Sequence, residues 1–162
     1  MNKIQFIMNS TIGKLYLVAS DKGLTGLFWE IKDFPIVQNL KGKSPAIRIL
    51  KKAQKEVTEY LSGERVDFNL PLDLEGTDFQ KKVWAELLRI PYGKTRSYKD
   101  IAKKLKDENA SRAVGTANGK NPVSLIVPCH RVINTGGSLG GYAGGLHIKT
   151  HLLNLEKLYT DE

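Results

Sequence analysis

The segment LIVPCHRVI, residues 125–133, carries the only cysteine of the 162-residue chain, followed directly by a histidine and an arginine. A thiol becomes nucleophilic as the thiolate, and a neighbouring imidazole is the usual means of drawing off its proton. Cys129 and His130 are therefore candidates for nucleophile and base, acting directly or through a water, with Pro128 fixing the backbone just before them. A lone cysteine is as a rule a small buried hydrophobe, so residue types alone leave both readings open. A papain-like hydrolase would use the same residue types, but its local cysteine sequence is absent, and no CxxC pair supports thioredoxin-type exchange. His147 and His151 in HIKTH would share a helical face, as in zinc helices. No glutamate or further histidine completes a ligand set, so no metal is expected. TGGSLGGYAGG (135–145) holds six glycines without the Gly-Lys-Ser/Thr of a phosphate loop, and reads as a tightly turned loop walling a site.

These residues need a frame. KIQFIM, KLYLVAS and LTGLFWE are short runs of β-formers separated by STIG and SDKG, which predicts an antiparallel meander. Residues 31–43 read as irregular. A helix then starts with Ser44 as N-cap and Pro45 in its first turn, burying Ile47, Leu50, Val57 and Leu61. VDFNLPLDLEG reads as an edge strand running into a linker, because of Pro71. The second half reads as mostly helical. TDFQ (77–80) is a capping box ahead of a stripe of Phe79, Val83, Trp84, Leu87 and Leu88. After the turn IPYGKTRSY, Ser97 caps a helix burying Ile101, Ala102 and Leu105, and Ser111 caps another through RAVGTANGK. A last helix covers about 147–158.

The helices at 97–106 and 111–120, joined by the polar turn DENA, have helix-turn-helix spacing. The second of them is made almost wholly of small residues, although glycine within a helix costs about 1 kcal/mol against alanine. Either it packs closely on another helix, or it must lie against an external surface. Charge bears on the choice. The formal net charge is +8. Residues 1–75 carry 11 Lys/Arg against 9 Asp/Glu, and residues 76–162 carry 14 against 8, so the excess is +2 and +6. A basic second half suits a polyanion such as nucleic acid, with an acidic protein, a membrane surface or plain solubility charge as alternatives. No run approaches the roughly 18 apolar residues of a membrane span. The N-terminus is too short and polar for a signal peptide, and a single cysteine suits a reducing compartment.

NPVSLIVPCHRVI resembles the active-site signature of the O6-alkylguanine-DNA alkyltransferases, or methylated-DNA–protein-cysteine methyltransferases. SRAVGTA, IPYGKTRSY and GGYAGGLHIKTHLLNLE match that family's flanking stretches. The match is close over residues 77–158 and one of style over 1–70. The resemblance implies an α+β protein. An N-terminal ribonuclease-H-like domain (1–72), an antiparallel sheet with one helix, would precede a mainly helical, winged-helix-like DNA-binding and catalytic domain (76–162). It implies stoichiometric repair of O6-alkylguanine in DNA, and of O4-alkylthymine, with base flipping, by a protein consumed in one turnover.

Residue by residue, Cys129 resembles the alkyl acceptor and His130 the base that deprotonates it through a bound water. Glu156 resembles the carboxylate that orients the histidine, and Asn121 the hinge of the cysteine loop. Tyr98 matches the tyrosine that rotates the phosphate 3′ of the lesion and donates a proton to the departing guanine. Arg112 matches the arginine finger that fills the hole left by the flipped nucleotide. Ser97, Lys99, Ala113, Gly115, Thr116, Ala117 and Thr135 would contact DNA, the small helix entering the minor groove. Val132, Asn118, Tyr142, Ala143 and Gly144 would line the base pocket. Ser124 stands where some relatives have proline, Asn118 where many have a larger apolar residue, and Ala143 where serine is frequent. The resemblance implies no cofactor or metal. The partner would be duplex DNA bound by a monomer, without a membrane, in the cytoplasm or nucleoid, or in the nucleus of a eukaryote. Its chief rival is a non-enzymatic sensor of the alkyltransferase-like type, which lacks the cysteine. A DNA-binding module with a redox-switch thiol is the third reading.

Overall fold

A computed structural model describes residues 2–160; Met1, Asp161 and Glu162, at the outer ends of the two expected domains, lie outside the described residues. The chain divides between Glu75 and Gly76 into two compact units.

In the first unit the β-forming runs become β1 (Ile4–Ser10), β2 (Gly13–Ala19) and β3 (Leu24–Phe28), an antiparallel meander in the order β1-β2-β3. Helix α1 (Pro45–Leu61) begins where the Ser44 hydroxyl accepts the Ile47 N–H at 3.2 Å. It buries Leu50, Ala53, Val57 and Tyr60 against the sheet, each large apolar side chain contributing about 1.5–3 kcal/mol of burial. The edge strand expected over 66–76 does not form. A single parallel bridge joins Leu24 to Leu72, held by Leu24 N–H to the Pro71 carbonyl and Asp73 N–H to the Leu24 carbonyl. Pro71 has no N–H with which to extend the ladder. The close approach demands Gly23, where a Cβ would sit 2.8 Å from the Leu72 backbone.

The second unit is mainly helical. Helix α2 (Asp78–Leu87) carries the full Thr77/Gln80 capping box and buries Val83, Trp84 and Leu87. Leu88, expected in the buried stripe, is instead 47% exposed, because it is the C-cap at which the helix ends. Two short strands that sequence periodicity did not reveal, β4 (Arg96–Ser97) and β5 (Val132–Ile133), pair in parallel. They tie the start of helix α3 (Tyr98–Lys104) to the residues just after Cys129. Ser97 caps α3 reciprocally with Asp100.

DENA forms a 3-10 turn over Glu108–Ala110 that runs directly into helix α4 (Ser111–Gly119). Ser111 is therefore the first helical residue and not the expected cap; no extended residue precedes the helix to present a hydroxyl to its amides. Helix α5 (Leu146–Leu158) starts after Gly145, at φ +97°. Among the described residues no helix is long and apolar enough to cross a membrane. The architecture is α+β, a small sheet with one helix followed by a helical unit.

Candidate active site

Asn121 shapes the segment that presents the thiol. Its Nδ2 donates to the Val127 carbonyl at 2.8 Å, and its Oδ1 accepts the Val123 N–H at 3.0 Å. One side chain thus closes the loop 123–127. Inside that loop Leu125 adopts φ +71°, a left-handed conformation that costs a non-glycine residue about 1–2 kcal/mol. Its fully buried side chain offsets the strain. The loop delivers Cys129 into one 3-10 turn, Cys129–Arg131, directly before β5. Cys129 is 4% exposed. Burial pushes its thiol up, against the opposing pull of Asn121, Lys149 and Ser124, so the resting group is the protonated thiol.

His130 is fully buried, with Nε2 2.6 Å from Glu156 Oε2. Burial pushes its imidazole down, outweighing the carboxylate beside it, so it rests neutral. The short contact to a carboxylate assigns the proton to Nε2 and leaves the lone pair on Nδ1. Glu156, on α5, also receives Arg131 Nε at 2.8 Å, Arg131 Nη2 at 3.0 Å and the Gly93 N–H at 3.0 Å. Burial works against its charge, but His130 and Arg131 outweigh it and hold the carboxyl at about 2. Arg131 in turn donates to the Ile90 carbonyl at 2.8 Å and lies over the Tyr92 ring.

Tyr98, the first residue of α3, is half-buried; burial and the adjacent Cys129 push its phenol up, so it remains a proton donor. Its hydroxyl packs on Gly140, where φ is +73° and a Cβ would come within 2.8 Å of Oη. Tyr98 also borders an open groove of about 910 Å³ that brings together Lys99, Arg112, Gly115, Thr116 and Thr135. Asn109, Ser111 and Asn134 join the groove without having been given a binding role from the sequence. Ser97 and Ala113 do not line it, and Ala113 is exposed on α4.

Ala117 turns inward instead of toward the groove: it is 2% exposed and its carbonyl accepts Trp84 Nε1 at 2.9 Å. The exposed residues of α4 are Arg112, Ala113, Thr116 and Gly119. A Cβ on Gly119 would meet nothing within 4 Å, and one on Gly115 only the Tyr98 ring at 3.8 Å. Close helix–helix packing therefore does not account for these two glycines.

Asn118 Nδ2 lies 3.5 Å from the Cys129 carbonyl, and Val132 is fully buried. Tyr142 meets the His130 ring edge-on, at 6.4 Å between centroids. Ala143 is exposed and Gly144 half-buried in the glycine-rich loop. His147 and His151 are both exposed on α5. Three residues that reach the thiol or its partners were not given roles from the sequence: Ser124, Arg131 and Lys149. Arg131 was visible as part of PCHR, whereas nothing in the sequence marks Lys149 as buried.

Two family models match the chain: the 6-O-methylguanine DNA methyltransferase ribonuclease-like domain over residues 5–74 and the DNA binding domain of the same family over residues 78–158. A methylated-DNA–protein-cysteine methyltransferase of Methanosarcina barkeri is 46% identical over 160 residues, covering 93% of this chain and 95% of the relative. The inducible protein of the same name from Bacillus subtilis is 42% identical over 161 residues, covering 97% and 86%. Among solved structures, Mycobacterium tuberculosis OGT in complex with DNA superimposes with a TM-score of 0.85 at 41% identity, covering 96% of this chain and 94% of that one.

Proposed function

Since the chain belongs to the 6-O-methylguanine DNA methyltransferase family, we propose that it repairs O6-alkylguanine in duplex DNA by moving the alkyl group onto Cys129. The observation that carries this reading is the buried His130–Glu156 pair directly after the buried Cys129, with His130 Nε2 at 2.6 Å from the carboxylate. The thiol proton passes to His130 Nδ1, directly or through a water, and Glu156 stabilises the imidazolium that forms. The thiolate attacks the alkyl carbon as the bond from that carbon to O6 breaks, and Tyr98 protonates the departing guanine. The new thioether has no leaving route, so each molecule acts once.

A stacked guanine cannot align O6 with a buried thiol, so the nucleotide must leave the duplex. The groove beside Tyr98 supplies cations and small residues for that step. Arg112 occupies the vacated stack, Lys99 and Thr135 meet the backbone, and the outer face of α4 enters the minor groove, which is about 6 Å wide. Asn121 holds the cysteine loop, and Val132, Tyr142, Ala143 and Gly144 surround the flipped base. O4-alkylthymine presents the same kind of alkyl–oxygen bond and is a second substrate. All the named residues come from one copy of residues 76–162, so a monomer suffices, working in the reducing compartment that holds the DNA.

Intact mass after incubation with an O6-methylguanine duplex tests the reading. The expected result is a gain of one methylene per molecule, located on Cys129, and none in Cys129→Ser. An unchanged mass with retained binding to the modified duplex would instead assign the chain a sensing role.

A further inference from the structure

Helix α1 carries a charge pattern that its packing does not require. Residues 34–55 hold six cations, Lys41, Lys43, Arg48, Lys51, Lys52 and Lys55, and no Asp or Glu. Residues 1–75 as a whole carry only +2, so the rest of the first unit sums to −4. Arg48, Lys51, Lys52 and Lys55 are all exposed, on the helix face opposite the buried Leu50, Ala53 and Val57. Their spacing of three and four residues makes like-charged neighbours of 48 with 51 and 52, and of 55 with 51 and 52. Such pairs weaken a helix, and a face that serves solubility alone interleaves acids with its lysines. The nearby acids do not fill that role. Glu56 is buried, and it accepts the Asn69 N–H at 2.8 Å as well as meeting Lys52 at 3.8 Å. Glu59, four residues after Lys55, is held by Arg65 at 3.0 Å. Among the described residues, Arg48, Lys51 and Lys55 enter no ion pair.

These four cations line an open groove of about 600 Å³ together with Gln54, Thr58 and the Arg65-bound Glu59. From Arg48 to Lys55 the helix rises about 10 Å. That is the axial reach of about three phosphates on one strand of duplex DNA, which follow one another every 3.4 Å or so. Amide and hydroxyl side chains beside the cations, as Gln54 and Thr58 are here, add neutral donors to phosphate oxygens. We propose that this face of α1 is a second DNA-binding surface, taking the sugar–phosphate backbone of duplex DNA without regard to sequence. The proposal rests on the chain holding DNA through its second unit. A duplex held there is a polyanion at high local concentration around the tethered first unit, which favours nucleic acid over an acidic protein as the occupant. The contact is one of charge, so its strength falls with salt.

The test measures binding of the full-length protein to an undamaged duplex of about 30 base pairs, between about 50 and 200 mM salt. One variant removes charge, combining Arg48→Gln, Lys51→Gln and Lys55→Gln. A second keeps it, combining Arg48→Lys, Lys51→Arg and Lys55→Arg. Each lost phosphate contact makes the slope of log affinity against log salt shallower by about 0.9. The glutamine triple is expected to have a slope shallower by about two to three and to bind about tenfold more weakly, or worse, at the low-salt end. The charge-keeping triple is expected to retain the parent's slope, and its affinity within about twofold. An unchanged slope and affinity in the glutamine triple overturns the proposal and leaves the face to an acidic protein or to solubility. A loss shared equally by both triples, or a weakening at every salt with the slope unmoved, also overturns it, because charge would not be the cause.

The three substituted residues are exposed and lie outside the site around Cys129, so both triples should react with free O6-benzylguanine at the parent's rate. The urea midpoint of the glutamine triple should match or exceed the parent's, since like-charged neighbours have been removed. Should that triple not fold, Lys51→Gln alone reads the same slope, expected to be shallower by about one, and an unmoved slope overturns the proposal. Failure of the repair reading would show separately, as no mass gain on O6-methylguanine duplex while the salt slope still differs between the parent and the glutamine triple.

Discussion

Glu156 is where the buried charges of the site converge. It takes four hydrogen bonds, from His130, from two nitrogens of Arg131 and from the Gly93 amide. The carboxylate ties the cysteine turn, the 90–93 turn and α5 together, while burial, helped by the charge of Arg131, keeps His130 neutral. Its folded carboxyl sits at about 2, against roughly 4.3 for an unperturbed glutamate. A depressed carboxyl contributes stability that is complete above the unfolded value and is lost as pH falls through the folded one. This contribution is therefore present above about pH 5 and disappears toward pH 2, amounting to about 3 kcal/mol. Glu156→Gln leaves Arg131 without its anion and is expected to cost about 3–5 kcal/mol at neutral pH. The gap between the variant and the parent, read from urea midpoints at a series of pH values, should close as pH drops from about 5 to about 2. A gap that stays constant through that range would show that the ionised carboxylate is not what stabilises the cluster.

At the scale of elements, α3 and α4 divide the labour. The Ser97/Asp100 box and the β4–β5 pairing set Tyr98 beside the thiol, while α4 turns Val114, Ala117 and Asn118 inward and Arg112 outward. Arg112 is exposed at the start of α4, and the proposed function has it fill the hole left by the flipped nucleotide. Arg112→Ala is expected to slow repair of duplex by roughly 100-fold, the few kcal/mol of holding a nucleotide out of the stack. Reaction with free O6-benzylguanine should change by less than about threefold, since no flipping is involved. Equal losses on both substrates would remove Arg112 from DNA handling.

Elements with a local cause were legible in the sequence: the meander from its alternation, α1 and α2 from their caps, the helix pair from spacing. Elements with a non-local cause were not. The β4–β5 pair joins residues far apart in sequence, and Pro71 reduced an alternating run to one bridge. Ser111 became helical because a 3-10 turn led into α4. The same division holds in the site. Cys129 and His130 stand out by type and adjacency, whereas the burial of Lys149 depends on carbonyls offered by a glycine-rich loop, which no pattern in α5 records.

Across the whole molecule, the charge excess and the proposed chemistry lie in one unit, residues 76–162, while the sheet unit is nearly neutral at +2. A single-use protein of this build should register its own reaction. Cys129 is buried, with Asn121 and Ser124 favouring its ionised form against that burial. Converting the thiol to a thioether removes its hydrogen, prevents the thiolate from forming, and inserts a methyl group at the end of a strained, closely packed loop. Extra volume in a packed interior costs about 1–3 kcal/mol. For a unit of this size each kcal/mol lowers the melting temperature by about 4–8 °C. The stoichiometrically methylated protein is therefore expected to melt several degrees below the unmodified one, and the benzylated form lower still. Hydrogen exchange should place the loss of protection in the loop 123–127 and the glycine-rich loop, leaving β1, β2, β3 and α1 unchanged. Equal melting temperatures before and after methylation would mean that the pocket already holds space for the alkyl group and that the spent protein carries no structural mark of its reaction.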